Sequence, residues 1–197
     1  EARRNRWRLP SLSERVSDPE LMDGAELEPS ELEENFRDIR RVNRLLGGVS
    51  TVLRHLPALL DGIPRDQPVS ILDLATGSAD IPLAIVNWAK RNGRSAFVVA
   101  SDSSDEMLAV ARCHLADATG ITLARYDARA VPLPDKQFDV VLCSLSLHHF
   151  EPDEAVLVLK EMDRLARRGF IVNDLRRSQL GFIAAWLAAH ATTRNRL

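Results

Sequence analysis

The stretch VSILDLATGSAD, Val69 to Asp80, decides how the rest of the chain is read. Four of its first six residues, Val69, Ile71, Leu72 and Leu74, are apolar, and the run then breaks into small and polar residues. A short continuous apolar run that ends in such a turn predicts a fully buried strand. Asp73 lies inside the run, where a carboxylate needs a compensating partner. Ile81, Ile85 and Trp88 then line one helical face, Pro82 suits a first turn, and Gly93 follows the end. Strand, turn and helix repeat downstream. Apolar runs at 96–101, 121–125, 138–145 and 169–172 predict further buried strands. Ser103 and Glu106 form a capping box ahead of Leu108, Ala111 and Leu115. Glu151–Pro152 opens a helix carrying Ala155, Leu159, Met162 and Ala166. The order implies an α/β fold with a doubly wound, mainly parallel sheet and ligands at the carboxyl ends of its strands.

The first 66 residues read differently, as a small helical region ahead of a domain over 67–197. PSELEENFRDIRRVNRLLGG has a Ser30–Glu33 capping box, with Leu32, Phe36, Ile39, Val42 and Leu46 at helical spacing. STVLRHLPALL predicts a second, shorter helix bent or shortened by Pro57, and DGIPRDQP a linker. The chain of 197 residues is 45% hydrophobic and 27% charged, an ordinary globular composition. Its charge of -2, from 26 basic and 28 acidic residues, gives no global field for nucleic acid. The arginines of EARRNRWRLP read as a solvated terminus. Cys113 is expected on a helix and Cys143 in a strand, both buried, as in a reducing compartment. No apolar run reaches the ~18 residues of a membrane span, and no signal peptide is visible, so the expected location is cytoplasmic.

The strand tips carry the chemistry. A dinucleotide turn needs several glycines to admit a pyrophosphate, whereas here Gly77 stands alone between Ala75 and Ala79. Asp73 also disfavours a diphosphate and suits a cation. Asp102, at the second strand's tip, is positioned to accept both hydroxyls of a ribose. Asp127, at the third, can accept an exocyclic amine. Together they describe an adenosine with a cationic tail, as in S-adenosylmethionine.

ILDLATGSAD, SDSSDEMLAVAR, YDARAVPLPDKQFDVVLCSLSLHHF and RRGFIVNDL together resemble the successive motifs of the class I, Rossmann-like S-adenosylmethionine-dependent methyltransferases of the small-molecule group. The resemblance covers about 69–175. It implies that Asp73 and the Ala75–Thr76–Gly77 backbone hold the methionine part, with Asp80 also binding the cofactor. Asp102 would bind the ribose, with Ser103 and Met107 near the adenine. Asp127 and the Ala128 amide would read the adenine edge, and Ser144 and Leu145 would line the floor. The family's first turn usually reads acidic-x-Gly-x-Gly-x-Gly. Alanine at 75 and 79 is a small change but removes freedom for positive φ, so the pattern specifies the fold more firmly than the geometry of this turn. The chain ends at Leu197, and the family's closing antiparallel strand pair is expected to be missing.

Methyl transfer needs alignment and a nucleophile in the right protonation state. His148 and His149 follow the fourth strand and are candidate bases, with His149 favoured because the family often has a histidine there. There is no Pro-Pro-aromatic tract for a flipped base and no metal-ligand spacing, and Tyr126 is the single tyrosine. The expected acceptor is therefore a small molecule rather than a nucleic acid, with oxygen slightly ahead of carbon or nitrogen. The front helices, 30–60, are expected as a lid. The apolar helix 179–191, with Trp186, is read as a pocket wall or a homodimer contact. The alternative function is a methyltransferase-like protein that binds the cofactor or a partner without turnover.

Overall fold

The structure is a computed structural model that describes residues 47–174, all within one compact unit, Ile39–Leu175. In chain order the elements are α1 (Gly48–Leu59), β1 (Val69–Leu74), α2 (Asp80–Arg91), β2 (Ala96–Asp102), α3 (Asp105–Leu115), β3 (Ile121–Arg125) and β4 (Phe138–Ser144). A short 3-10 turn (Leu147–His149), α4 (Pro152–Leu165) and β5 (Ala166–Asn173) complete them. All four strand pairings are parallel, in the order β3-β2-β1-β4-β5. The chain steps outward from β1 through β2 to β3, then crosses back to lay β4 on the other side of β1. That reversal puts the topological switch point beside the tip of β1, where open α/β sheets bind ligands.

Two apolar layers sandwich the sheet. On one side Val52 and Leu56 of α1 and Ile81 and Ile85 of α2 pack with Val69, Ile71, Val98, Val140 and Leu142. On the other, Val158, Met162 and Leu165 of α4 cover Leu72, Leu74, Val141 and Cys143. Alternate residues of β1 and β4 thus serve opposite layers, which is why both strands read as unbroken apolar runs. The helical faces expected from Leu108, Ala111 and Leu115, and from Ile81 and Ile85, are buried.

Several local expectations are corrected. α1 runs through Pro57 without interruption, and Gly47, at φ 86, stands at its start. The helix belongs to the sheet's own layer, and Arg168 of β5 donates to the carbonyls of Leu59 and Asp61 past its end. The helix read over 30–46, the basic start and the helix 179–191 with Trp186 lie outside the described residues. The cap of α3 is Ser104, not Ser103: its hydroxyl accepts from the Met107 amide at 3.2 Å and donates to Glu106 at 2.6 Å. Ala166 begins β5 rather than ending α4, so helix passes into strand with no intervening loop. Cys113 is exposed, because its helix turns only Leu108, Ala111 and Leu115 inward; Cys143 is buried as expected.

Far from the strand tips, two clamps fix the scaffold. Asp139, at the start of β4, accepts from the Ser70 amide (2.8 Å), the Ser70 hydroxyl (2.9 Å) and Arg167 (3.1 Å). Burial pushes its carboxyl up, but these donors outweigh burial and hold it below the usual range. Arg164 of α4 grips the carbonyls of Val131 and Leu133 and the carboxylates of Asp135 and Glu161.

Candidate active site

The question posed by Asp73 has a local answer. Thr76, three residues on, donates its hydroxyl to the carboxylate at 2.6 Å, and the Ser101 hydroxyl donates to the Asp73 carbonyl at 3.1 Å. The side chain is only 2% exposed. Burial, against the Thr76 bond and with the charges of Asp80 and Asp102 adding to it, pushes its pKa up to about 7. Such a carboxyl sits at the edge of ionisation and gains most from a cation placed beside it.

The turn after β1 takes up positive φ in spite of its alanines. Ala75, Gly77 and Ala79 have φ of 51°, 55° and 59°, so both alanines occupy the left-handed region that glycine ordinarily fills. The turn is held by its neighbours: the Thr76 amide donates to the Ser101 carbonyl, and the Gly77 amide to Asp102 Oδ2 at 3.0 Å. A Cβ added at Gly77 would meet nothing within 4 Å, so the space above that residue is open. Leu145, just past β4, also has positive φ (56°). Strained backbone thus gathers at the carboxyl end of the sheet, beside the switch point.

Asp73 and Asp102 lie on the neighbouring strands β1 and β2, close enough for their charges to interact, and Asp127 follows β3, the next strand in the sheet. Asp102 is buried, and besides holding Gly77 it accepts the Ser104 amide at 3.1 Å. Asp80 opens α2 and accepts from Ser78 at 3.0 Å. Met107 is half-buried on α3, whereas Ser103 is exposed. Asp127 already carries a cation, although its side chain remains partly exposed. Arg129 holds it through Nε at 2.9 Å and Nη2 at 2.7 Å, which keeps its carboxyl below the usual range, and Arg129 also bonds Glu154. Ala128 beside it is buried. Ser144 accepts from Asn173 at 2.9 Å, and the Leu145 amide donates to the Asn173 carbonyl at 2.7 Å.

Both histidines lie on the 3-10 turn beyond β4, with ring centroids 4.3 Å apart. His149 is exposed and His148 half-buried. Asp174, at the tip of β5, receives the His148 amide at 2.9 Å and lies 2.6 Å from its Nδ1. Ser146 ties the same turn to the first one, its hydroxyl placed 3.0 Å from the Ala75 carbonyl and 3.1 Å from that of Ser144. Sequence reasoning misses Asp174, Ser146 and Arg129. Asp174 is within reach of the strand-tip argument applied to Asp102 and Asp127, since it follows an apolar run in the same way.

An S-adenosylmethionine-type ligand is tested by these residues and fits them: a buried carboxyl that seeks a cation, an open glycine in the turn, and a second carboxylate already bonded to that turn. Comparison with known proteins agrees. The methyltransferase-domain family matches residues 71–169. The ubiquinone/menaquinone biosynthesis C-methyltransferase UbiE of Chromobacterium violaceum is 34% identical over 125 residues, 62% of this chain and 48% of that protein. A demethylmenaquinone methyltransferase of Thermus thermophilus is 36% identical over 118 residues, 59% of this chain and 51% of that protein. The chain thus spans about half the length of these relatives. A putative S-adenosyl-L-methionine-dependent methyltransferase from Methanococcus maripaludis shares the fold, with a TM-score of 0.60 at 13% identity over 86% of this chain and 75% of that one. Five parallel strands in this order, cation-seeking chemistry at the β1 tip and a match from β1 into β5 lead to one conclusion: the chain belongs to the methyltransferase-domain family of class I, Rossmann-like S-adenosylmethionine-dependent methyltransferases.

Proposed function

We propose that the protein transfers a methyl group from S-adenosylmethionine to a small aromatic acceptor of the quinol type, at ring carbon. The single observation that carries the cofactor half is Asp73, a buried carboxyl held near neutrality at the switch point. The acceptor half rests on relatives named as C-methyltransferases of ubiquinone and menaquinone biosynthesis and as demethylmenaquinone methyltransferases. They favour carbon over the oxygen expected from sequence.

In this reading Asp73, Asp80 and the 75–77 backbone hold the methionine part, and Asp102 the ribose while it keeps its bond to Gly77. Asp127 and the Ala128 amide read the adenine edge, with Met107 and Ser103 beside it and Ser144 and Leu145 as the floor. When bound, S-adenosylmethionine supplies a methyl already activated on a sulfonium. What the chain adds is alignment, worth up to ~7–11 kcal/mol, and proton removal from the acceptor. Ser146 serves the first, because one hydroxyl couples the cofactor turn to the turn that bears the histidines. A ring hydroxyl that loses its proton feeds charge into the adjacent carbons, which makes carbon attack feasible.

The test has two stages. Calorimetric titration with S-adenosylhomocysteine should show binding that Asp102→Asn weakens at least ~10-fold, as expected when a charge-assisted bond is lost. Incubation with S-adenosylmethionine and short-chain reduced demethylmenaquinone should then yield S-adenosylhomocysteine and a methylated ring. No binding by folded protein refutes the cofactor reading. Binding without turnover across an acceptor panel favours the non-catalytic alternative.

A further inference from the structure

We propose that Asp174 is the positioning residue that makes His148, rather than His149, the base for the acceptor's hydroxyl. The inference rests on the methyl-transfer reading for its chemistry, but its geometry stands apart from it. Asp174 takes the backbone amide of His148 on one carboxylate oxygen (2.9 Å) and faces ring Nδ1 with the other (2.6 Å). Two contacts to one residue fix both where the ring starts and how it is turned. A carboxylic acid is far more acidic than an imidazolium, so the shared proton resides on Nδ1 and Nε2 becomes the lone-pair nitrogen. The ring is 32% exposed and its partner 17%, so the pair is reachable by a small molecule while its carboxylate is largely covered. His149 is the more exposed of the two and gives its backbone amide to Ser146.

The location supports a base rather than a surface ion pair. β4 and β5 are register partners up to Ser144 and Asn173, so the next residues bring the histidine turn and Asp174 side by side at the carboxyl end of the sheet, the end toward which Asp73 lies on β1. Ser146, two residues before His148, bonds the Ala75 carbonyl of the cofactor turn. A base there is attached directly to the segment assigned to the methyl donor. The step is a single proton transfer. The acceptor's O–H bond breaks, its electron pair stays on oxygen, and the proton goes to His148 Nε2. The resulting imidazolium keeps its Nδ1–H on Asp174, which stabilises the charge it has gained.

Long-range proton–nitrogen NMR of the imidazoles tests the arrangement without acceptor or turnover, His148 being assigned by loss of its signals in His148→Gln. Wild type should show Nδ1 protonated and Nε2 without a proton, Asp174→Asn should shift the ring toward the Nε2–H form, and Asp174→Glu should restore it. With short-chain reduced demethylmenaquinone as probe, Asp174→Asn should lower kcat ~10²–10³-fold and leave S-adenosylhomocysteine affinity within about two-fold, as for general-base loss. Asp174→Glu should recover part of the rate, and His149→Gln should stay within a few-fold of wild type. An Nε2–H ring in wild type, or a larger loss in His149→Gln than in His148→Gln, overturns the proposal. If wild type methylates no quinol while the tautomer follows Asp174, the acceptor reading fails and the dyad stands. Should Asp174→Asn fail to fold, wild-type and His148→Gln spectra still decide which ring nitrogen carries the proton.

Discussion

Replacing Asp73 by asparagine should change how stability depends on pH. The carboxyl is 2% exposed and its pKa stands at about 7 in the folded protein, against 3.8 for an unperturbed side chain. A carboxyl raised on folding keeps its proton in the native state after the unfolded chain has lost it. Its neutral form therefore supports stability fully below the unfolded value, and that support is lost as pH rises through the folded one. Integrated across both pKa values, the loss is about 4 kcal/mol, of which about 2–3 kcal/mol develops between pH 5 and pH 8. Asparagine preserves the shape and the acceptor for the Thr76 hydroxyl and has no proton to lose. Urea unfolding of both proteins at pH 5, 6, 7 and 8 gives the difference directly, since all other titrating groups are common and cancel. The variant should gain about 2–3 kcal/mol on wild type across that range, with most of the change below pH 7. A difference that stays flat with pH refutes the reasoning. The same charge should govern ligand binding. Wild-type affinity for S-adenosylhomocysteine should rise from pH 6 to pH 8 with proton release, and Asp73→Asn should show neither.

Other perturbations probe the scaffold. Ala75→Gly relieves a left-handed alanine and should stabilise the protein by about 0.5–1 kcal/mol in denaturant titration. Gly77→Ala, with nothing near the new methyl, should cost about 1 kcal/mol from backbone conformation alone. Asp139→Ala strands the Ser70 amide and hydroxyl and should cost about 2–4 kcal/mol by urea unfolding. Because that carboxyl is held low, its contribution is present above the unfolded value and should fade as pH falls through the folded one. Arg164→Met should cost about 2–3 kcal/mol, and amide exchange should quicken first around 131–135, whose carbonyls it holds.

The fold is legible in the sequence because β1 and β4 are buried on both faces, the remaining strands still read as short apolar runs, and the helices bury one face. Periodicity locates β1, β2, β3 and β4 nearly to the residue. It misplaces the start of β5, since the helical spacing of Leu159 and Met162 runs on to Ala166, and nothing local marks a helix that becomes a strand without a loop. The carboxylates of the site are legible because each ends an apolar run. Their partners are not. Arg129 closes on Asp127 from two residues away, a contact set by the conformation of that turn, and Asp174 reaches His148 across 26 positions only through strand register, which no local pattern encodes. The alanine turn defeats sequence reading for a related reason: residue type states what φ costs, while the surrounding bonds from Ser101 and Asp102 decide whether the cost is met.

The direct passage from Leu165 into Ala166 leaves no slack in the chain. Insertions are ordinarily absorbed by loops, and between α4 and β5 there is none; both junction residues are buried. One extra residue there would have to slide β5 along β4 or unwind the last turn of α4. A slide of one position would exchange the faces of Gly169 and Phe170 and carry Asp174 past His148. Natural length variation in this protein's relatives should therefore avoid that junction and collect in the turns before β1 and after α3, where the spacing of the strand tips does not depend on the count.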